Sequence, residues 1–312
     1  MEQLRTVLRV VAFAAFAAVF YVVLLAILPL QKARNLNVPT GGYGHQWTRS
    51  REALTWGAVD VLFVGSSHAY RGFDPRIWSA RGYRTFNLGS SGQTPLQSEV
   101  LLTRHLTHLD PKLVVLVLDP LSLGSDGVES ALDILANAPV DAAAWRMAWH
   151  IGHLKVWNGL LYNWAHRGVW GMPGFDEPVV RNQDTYVPGG YVEKRLRSNT
   201  WKGGKRARTG PIRPEQLQAL DRIIEMLHRR GTRTIVVETP VTLPFRESYP
   251  DHADLAARMA RRAPYYDLQH LVPLDDTMHF YDAHHLNQLG VQRMNMAFID
   301  RLIGDGVLVA RP

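Results

Sequence analysis

The 312-residue chain contains no cysteine. It can form no disulfide, no thiolate metal site and no cysteine nucleophile. That lack is compatible with an oxidising compartment without fixing one. Charge is also modest: 20% of residues are Asp, Glu, Lys or Arg against 46% hydrophobic. This globular balance excludes general disorder and a collagen-like chain. Long apolar runs are all but missing, with a single one in a chain of mean hydropathy −0.14, which excludes a multi-pass membrane protein. The net charge of +7 permits anionic partners but selects none. The densest basic run (Lys194, Arg195, Arg197, Lys202, Lys205, Arg206, Arg208) reads as a solvated loop, and no nucleic-acid module surrounds it. There are no internal repeats.

The one apolar run extends uncharged from Val10 to Leu30. About 20 such residues span a bilayer as a helix. It is longer than a signal-peptide core and ends Leu28-Pro29-Leu30-Gln31, without a small-x-small cleavage site, so it reads as an uncleaved anchor. Arg5 and Arg9 before it nearly balance Lys32 and Arg34 after it, and orientation is weakly specified. The expected division is an anchor over 1–35, a stalk over 36–57 containing Pro39, Gly41, Gly42 and Gly44, and an α/β domain over 58–312.

Short apolar runs at 59–64, 84–88, 113–118, 234–237 and 265–268 read as strands. Helical periodicity marks 94–109, 214–230, 255–262 and 287–303. The alternation predicts a doubly wound parallel α/β sheet of about five strands, with ligands outside the strands' carboxyl ends. Residues 121–212 interrupt it as an insertion holding six of the nine tryptophans. They are expected to form a packed subdomain over the sheet, or a lid or glycan-binding wall.

Three strand-end segments carry chemistry. The first strand runs into Gly65-Ser66-Ser67-His68, where glycine allows a turn that projects a serine. Near the C-terminus stands Asp282-Ala283-His284-His285, whose carboxylate can orient an imidazole as base for Ser67. After the second strand, Asn87 to Thr94 includes Gly89 and Gly92, whose backbone N–H groups, with a helix start at Thr94, suit an oxyanion.

These segments resemble the SGNH/GDSL hydrolases, over roughly Val59 to Ile303 apart from the insertion. Gly65-Ser66-Ser67 sits where the family has Gly-Asp-Ser, which implies Ser67 as nucleophile, with Ser66 in place of Asp and expected, with Gly92 and Gly89, at the oxyanion and substrate-binding wall. Asp282-x-x-His285 matches the family's Asp-x-x-His, and Gly92, or less well Gly89, matches its oxyanion glycine. The resemblance implies a flavodoxin-like SGNH fold. The Gly-Ser-Ser start and the anchor resemble envelope members: the D-alanyl-lipoteichoic acid biosynthesis protein and the alginate O-acetylation proteins. One departure stands out. The family's third block supplies an Asn donor, whereas here the third strand ends in Leu118-Asp119-Pro120. Asn158 or Asn163 of the insertion is one substitute, and backbone N–H groups alone are another.

The expected function is a membrane-anchored serine esterase or O-acyltransferase acting on an envelope polysaccharide. The alternative is a non-catalytic envelope assembly or carbohydrate-binding protein on a degenerate fold. A phosphate-binding loop at Gly65–His68 lacks a lysine, and a metal site of His68, His279 and His284 with Asp275, Asp276 and Asp282 lacks ligand spacing. Expected partners are an envelope glycan or acyl-ester substrate and the membrane through residues 10–30, with room for a membrane-bound acyl-transfer partner. No nucleic acid, cofactor or metal is expected.

Overall fold

The computed structural model describes residues 1–29, 38–195, 198, 210–249 and 252–311. Most of the basic run and Trp201 lie outside the described residues. In chain order, the first half comprises α1 (Glu2–Ile27), α2 (Gln46–Thr55), β1 (Val61–Gly65), α3 (Ser67–Gly72), α4 (Pro75–Ser79), β2 (Thr85–Asn87), α5 (Pro95–Leu109) and β3 (Leu113–Val117). Next come α6 (Pro120–Gly124), α7 (Val128–Asn137), α8 (Ala142–Ile151), α9 (Leu154–Trp170), β4 (Val180–Arg181), β5 (Asp184–Val187) and β6 (Tyr191–Lys194). The remainder is α10 (Pro214–Arg229), β7 (Arg233–Glu238), α11 (Leu243–Glu247), α12 (His252–Ala260), β8 (Tyr265–Asp267) and α13 (Gln288–Gly304).

Five strands form one parallel sheet in the order β2-β1-β3-β7-β8. Successive strand residues point to opposite faces. Leu62, Val64, Val114, Leu116 and Val236 pack on one face against Leu101, Ile134, Leu160 and Leu220. Val61, Phe63, Val115, Val117 and Val237 pack on the other against Phe73, Trp78, Val291 and Phe298. Both faces are covered, which is why the strands read as continuous apolar runs. Strand order reverses between β1 and β3, and chains leaving those strands part to form a crevice.

The insertion is not a separate lid. Its helices α7, α8 and α9 contribute Ile134, Leu135, Met147, Val156 and Leu160 to the first core, and the antiparallel sheet β4-β5-β6 contributes Val187 and Tyr191 to the second.

Residues 46–55, expected within the stalk, instead form α2 and bury Trp47, Arg49, Ser50 and Ala53. Arg49 donates to the carbonyls of Gly44 (2.7 Å), Gly89 (2.7 Å) and Gly190 (2.9 Å) and to Gln46 Oε1 (3.1 Å). A helix buried through polar bonds has no apolar stripe to betray it.

Helix α1 is the one helix among the described residues long and apolar enough to cross a membrane. Most of it is exposed, but its last turns rest on α9. Leu25 is buried with Tyr162 and Ala165. Tyr21 donates to Asn158 Oδ1 at 3.0 Å, Trp170 Nε1 donates to the Ala26 carbonyl at 2.9 Å, and His166 Nδ1 lies 3.1 Å from that oxygen.

Candidate active site

The site begins where β1 ends. A Cβ on Gly65 would lie 2.3 Å from the Val117 carbonyl oxygen, so only glycine lets β1 run this close to β3 before turning. Ser66 caps α3 by accepting the His68 N–H at 3.4 Å, and Ser67 opens the helix.

From 218 residues away, His285 Nε2 comes within 2.7 Å of Ser67 Oγ. On its other side His285 Nδ1 lies 2.9 Å from Asp282 Oδ2 and 3.1 Å from Oδ1. Asp282 Oδ1 also accepts the backbone N–H groups of His284 (2.9 Å) and His285 (2.8 Å), which fixes the carboxylate. An N–H at Nδ1 facing the carboxylate leaves Nε2 as a lone pair, and the Ser67 hydroxyl donates to it. The Tyr281 ring stacks on the imidazole at 5.3 Å, nearly parallel. Burial pushes the His285 imidazolium below its usual range, opposed by Asp282. Burial works against Asp282 ionising, but the hydrogen bond and charge of His285 prevail and hold its carboxyl well below the carboxylate range.

Beside this chain runs a second one that the sequence reading missed. His68 Nδ1 lies 2.7 Å from Asp119 Oδ2, and His68 Nε2 lies 3.1 Å from His284 Nδ1. Asp119 follows β3, and its Oδ1 accepts the Ser122 N–H at 2.8 Å to cap α6. Burial alone would lower the His68 pKa, yet the Asp119 charge and hydrogen bond raise it above its ordinary value. Two residues 51 positions apart leave no joint signal in a single sequence; only the adjacency of His68 to Ser67 hinted at it.

Both chains open on one cavity of about 580 Å³. Ser66, Ser67, Gly92, His284 and His285 line it, with Ser91, Ser122, Ser125, Asp126 and Glu129; Leu121 is the one large apolar residue among them. Gly92 has φ +59°, which suits glycine. Gly89 does not line the cavity: a Cβ there would lie 2.8 Å from the Gly65 carbonyl, so its smallness serves packing. Asn158 and Asn163, expected as donors, sit on α9 away from the cavity, bonded to Tyr21 and to the Gly159 carbonyl. None of the described indoles lines the cavity, contrary to the glycan-wall expectation. A larger hollow of about 700 Å³ beside Trp56, Pro75 and Arg76 holds no such constellation.

His279, expected with His68 and His284 in a metal alternative, instead accepts the Asp275 N–H at 2.8 Å. Among the described residues, His68, His284 and His285 are the trio that brings three ring nitrogens together, within 4.8 Å of one another.

The sequence matches no family model and no curated protein. Among solved structures, it is similar to a Streptococcus pneumonia protein provisionally described as a platelet activating factor, at 12% identity and a TM-score of 0.43, covering 82% of this chain and 90% of that one. It is similar to a Bacteroides fragilis protein provisionally described as an acylhydrolase, at 14% identity and TM-score 0.40, covering 89% and 97%. A third is a GDSL-like lipase from Bacteroides thetaiotaomicron, at 13% identity and TM-score 0.38, covering 80% and 88%. Each of these likenesses is one of fold: a mixed α/β arrangement around a five-stranded parallel sheet.

Proposed function

We propose that the protein is a membrane-anchored serine esterase or O-acyltransferase that works on a cell-envelope polysaccharide through an acyl-serine intermediate. The observation that carries this reading is the unbroken run from Asp282 through His285 to Ser67 at a cavity mouth. Ser67 Oγ attacks the ester carbonyl as His285 Nε2 takes its proton. The tetrahedral adduct collapses, and the leaving alkoxide receives that proton. Water or a sugar hydroxyl then gives a proton to Nε2 and attacks the acyl-serine, which frees Ser67. The backbone N–H groups of Ser67 and Gly92, both residues of the cavity wall, are the oxyanion donors.

The lining argues about the substrate. Serines and carboxylates surround one leucine, which suits a short acyl group and a hydroxyl-rich acceptor rather than a long alkyl chain. The anchor is α1. Beside its carboxyl end, Trp170 on α9 is exposed, as suits an indole at headgroup level. On this proposal the domain stands on the extracytoplasmic side. One observation favours the non-catalytic reading: Asp119 occupies the position where an oxyanion donor is expected.

The deciding experiment is fluorophosphonate labelling of the full chain in detergent, followed by acyl release from acetylated envelope polysaccharide. The expected result is a label on Ser67 that vanishes in Ser67→Ala. An unlabelled wild-type protein, or a Ser67→Ala protein with a full envelope phenotype at normal abundance, decides for the scaffold.

A further inference from the structure

The chain Asp119–His68–His284 has no task in the acyl-transfer steps above. Its three members come from the segment after β3, from the first turn of α3 and from the loop before α13, so three separate parts of the fold converge to build it. Asp119 and His68 are buried. An unpaired carboxylate in this place would repel a developing oxyanion; His68, 2.7 Å away, offsets that charge. The chain ends on His284, whose ring lies against Phe245 and lines the cavity together with Ser67 and His285. No protein group is bonded to His284 Nε2 among the described residues.

On the acyl-serine reading, we propose that Asp119, His68 and His284 form a second relay that presents the His284 Nε2–H to the cavity as the side-chain donor to the substrate's carbonyl oxygen. The logic is one of tautomers. An imidazolium at His68 donates Nδ1–H to Asp119 and Nε2–H to His284 Nδ1. His284 is then neutral with its remaining proton on Nε2, and it donates to the oxyanion without any proton leaving the relay. Once His68 loses its proton, its Nε2 becomes an acceptor. His284 turns an Nδ1–H toward it, and the cavity faces a lone pair instead of a donor.

The groups facing the relay fit this assignment. Asp119 from the end of β3 and Asp282 from the loop before α13 favour the His68 imidazolium. Burial, then the charges of His285 and His68, keep His284 neutral. Arg71 on α3 and His68 act on His285 in the same sense, lowering it, and Tyr249 after α11 faces Asp119 as a neutral phenol. His285 therefore loses its proton at lower pH than His68. Activity is confined to the window between them, with an acid limb from His285 and an alkaline limb from His68.

The test uses the full chain in detergent with p-nitrophenyl acetate. His284→Phe is expected to lower kcat by roughly 10²–10³-fold with little change in KM, the loss typical of one oxyanion donor. His284→Gln keeps an N–H donor and is expected to recover part of that loss. His68→Gln is expected to abolish the alkaline limb. A His284→Phe enzyme within about threefold of wild type in kcat overturns the relay, as does an unchanged alkaline limb in His68→Gln. Loss of wild-type activity on chelation by EDTA also overturns it, because the three histidines then hold a metal. Nitrogen NMR of the imidazoles reads the relay without turnover. Two protonated nitrogens on His68 and an Nε2–H tautomer of His284 at pH 7 support it, and a neutral His68 facing a His284 Nδ1–H refutes it. If Ser67→Ala leaves ester turnover intact, the acyl-serine reading fails, while the NMR result still decides the relay.

Discussion

Arg49 offers the sharpest test of how the loop around the site is held. It is fully buried, has no carboxylate bonded to it among the described residues, and ties three main-chain carbonyls together: Gly44 ahead of α2, Gly89 in the loop that leads to Gly92, and Gly190 in the turn between β5 and β6. Arg49→Met keeps much of the side-chain volume and removes all four hydrogen bonds. Each orphaned buried acceptor costs about 1–3 kcal/mol. Relief of the buried guanidinium's desolvation offsets part of that sum. The net loss is therefore about 3–5 kcal/mol, set by three carbonyls left without donors. Urea titration of the full chain in detergent measures it, and thermal melts should fall by roughly 5–15 °C. Arg51→Met is the control. Arg51 is exposed over the Trp47 ring, and its loss should cost no more than about 1 kcal/mol. If Arg49→Met lies within 1 kcal/mol of wild type, the claim that α2 is bonded into the domain fails.

Three further outcomes are expected. Ser67→Ala, His285→Ala and the double variant should lose ester turnover to a similar extent, because residues acting as one unit do not add; separable, additive losses in single-turnover assays would contradict the chain seen at 2.7 Å. The acid limb of kcat/KM should fall below the ordinary histidine value of about 6.5, since burial depresses His285 and only its neutral form accepts a proton. Asp282→Asn should move that limb to still lower pH and retain more activity than Ser67→Ala; a shift to higher pH would show that Asp282 does not face the base. Because the chain has no native cysteine, single spin labels at positions 164 and 170 report depth cleanly. In lipid nanodiscs they should be shielded from a water-soluble relaxant relative to a label at Met278, and equal exposure would remove α9 from the bilayer surface.

The sheet was readable because its strands are buried on both faces. Val, Leu and Phe then appear in unbroken runs such as 61–64 and 113–117, and the observed strands fall within a residue or two of expectation. The Asp282–His285 pair was visible because its partners are three residues apart, and Ser67 because a glycine must precede it. What escaped notice depends on tertiary hydrogen bonds. Helix α2 shows only Trp47 and Ala53 as buried apolar residues, and its polar Gln46, Arg49 and Ser50 are inside because main-chain carbonyls await them. Asp119 looked like a missing donor, since nothing in a linear sequence says that His68 covers it. The indoles of the insertion suggested a groove, yet Trp145 packs edge to ring on Trp164, and Trp149 and Trp170 are exposed.

The clasp between α1 and α9 sets a limit on reach. Ala26 accepts from Trp170, Leu28 accepts from Tyr162 at 3.3 Å, and Leu25 is buried beneath them. A domain on a flexible leash sweeps a volume that grows with linker length. Here the last turn of α1 is itself bonded to α9, so swinging the domain about that point would first have to break these contacts. For an anchored protein, Ser67 then works at one fixed height above the lipid. On the proposed function, an acceptor polysaccharide would meet Ser67 only while close to the bilayer, and its acyl pattern would be laid down as it passes that level.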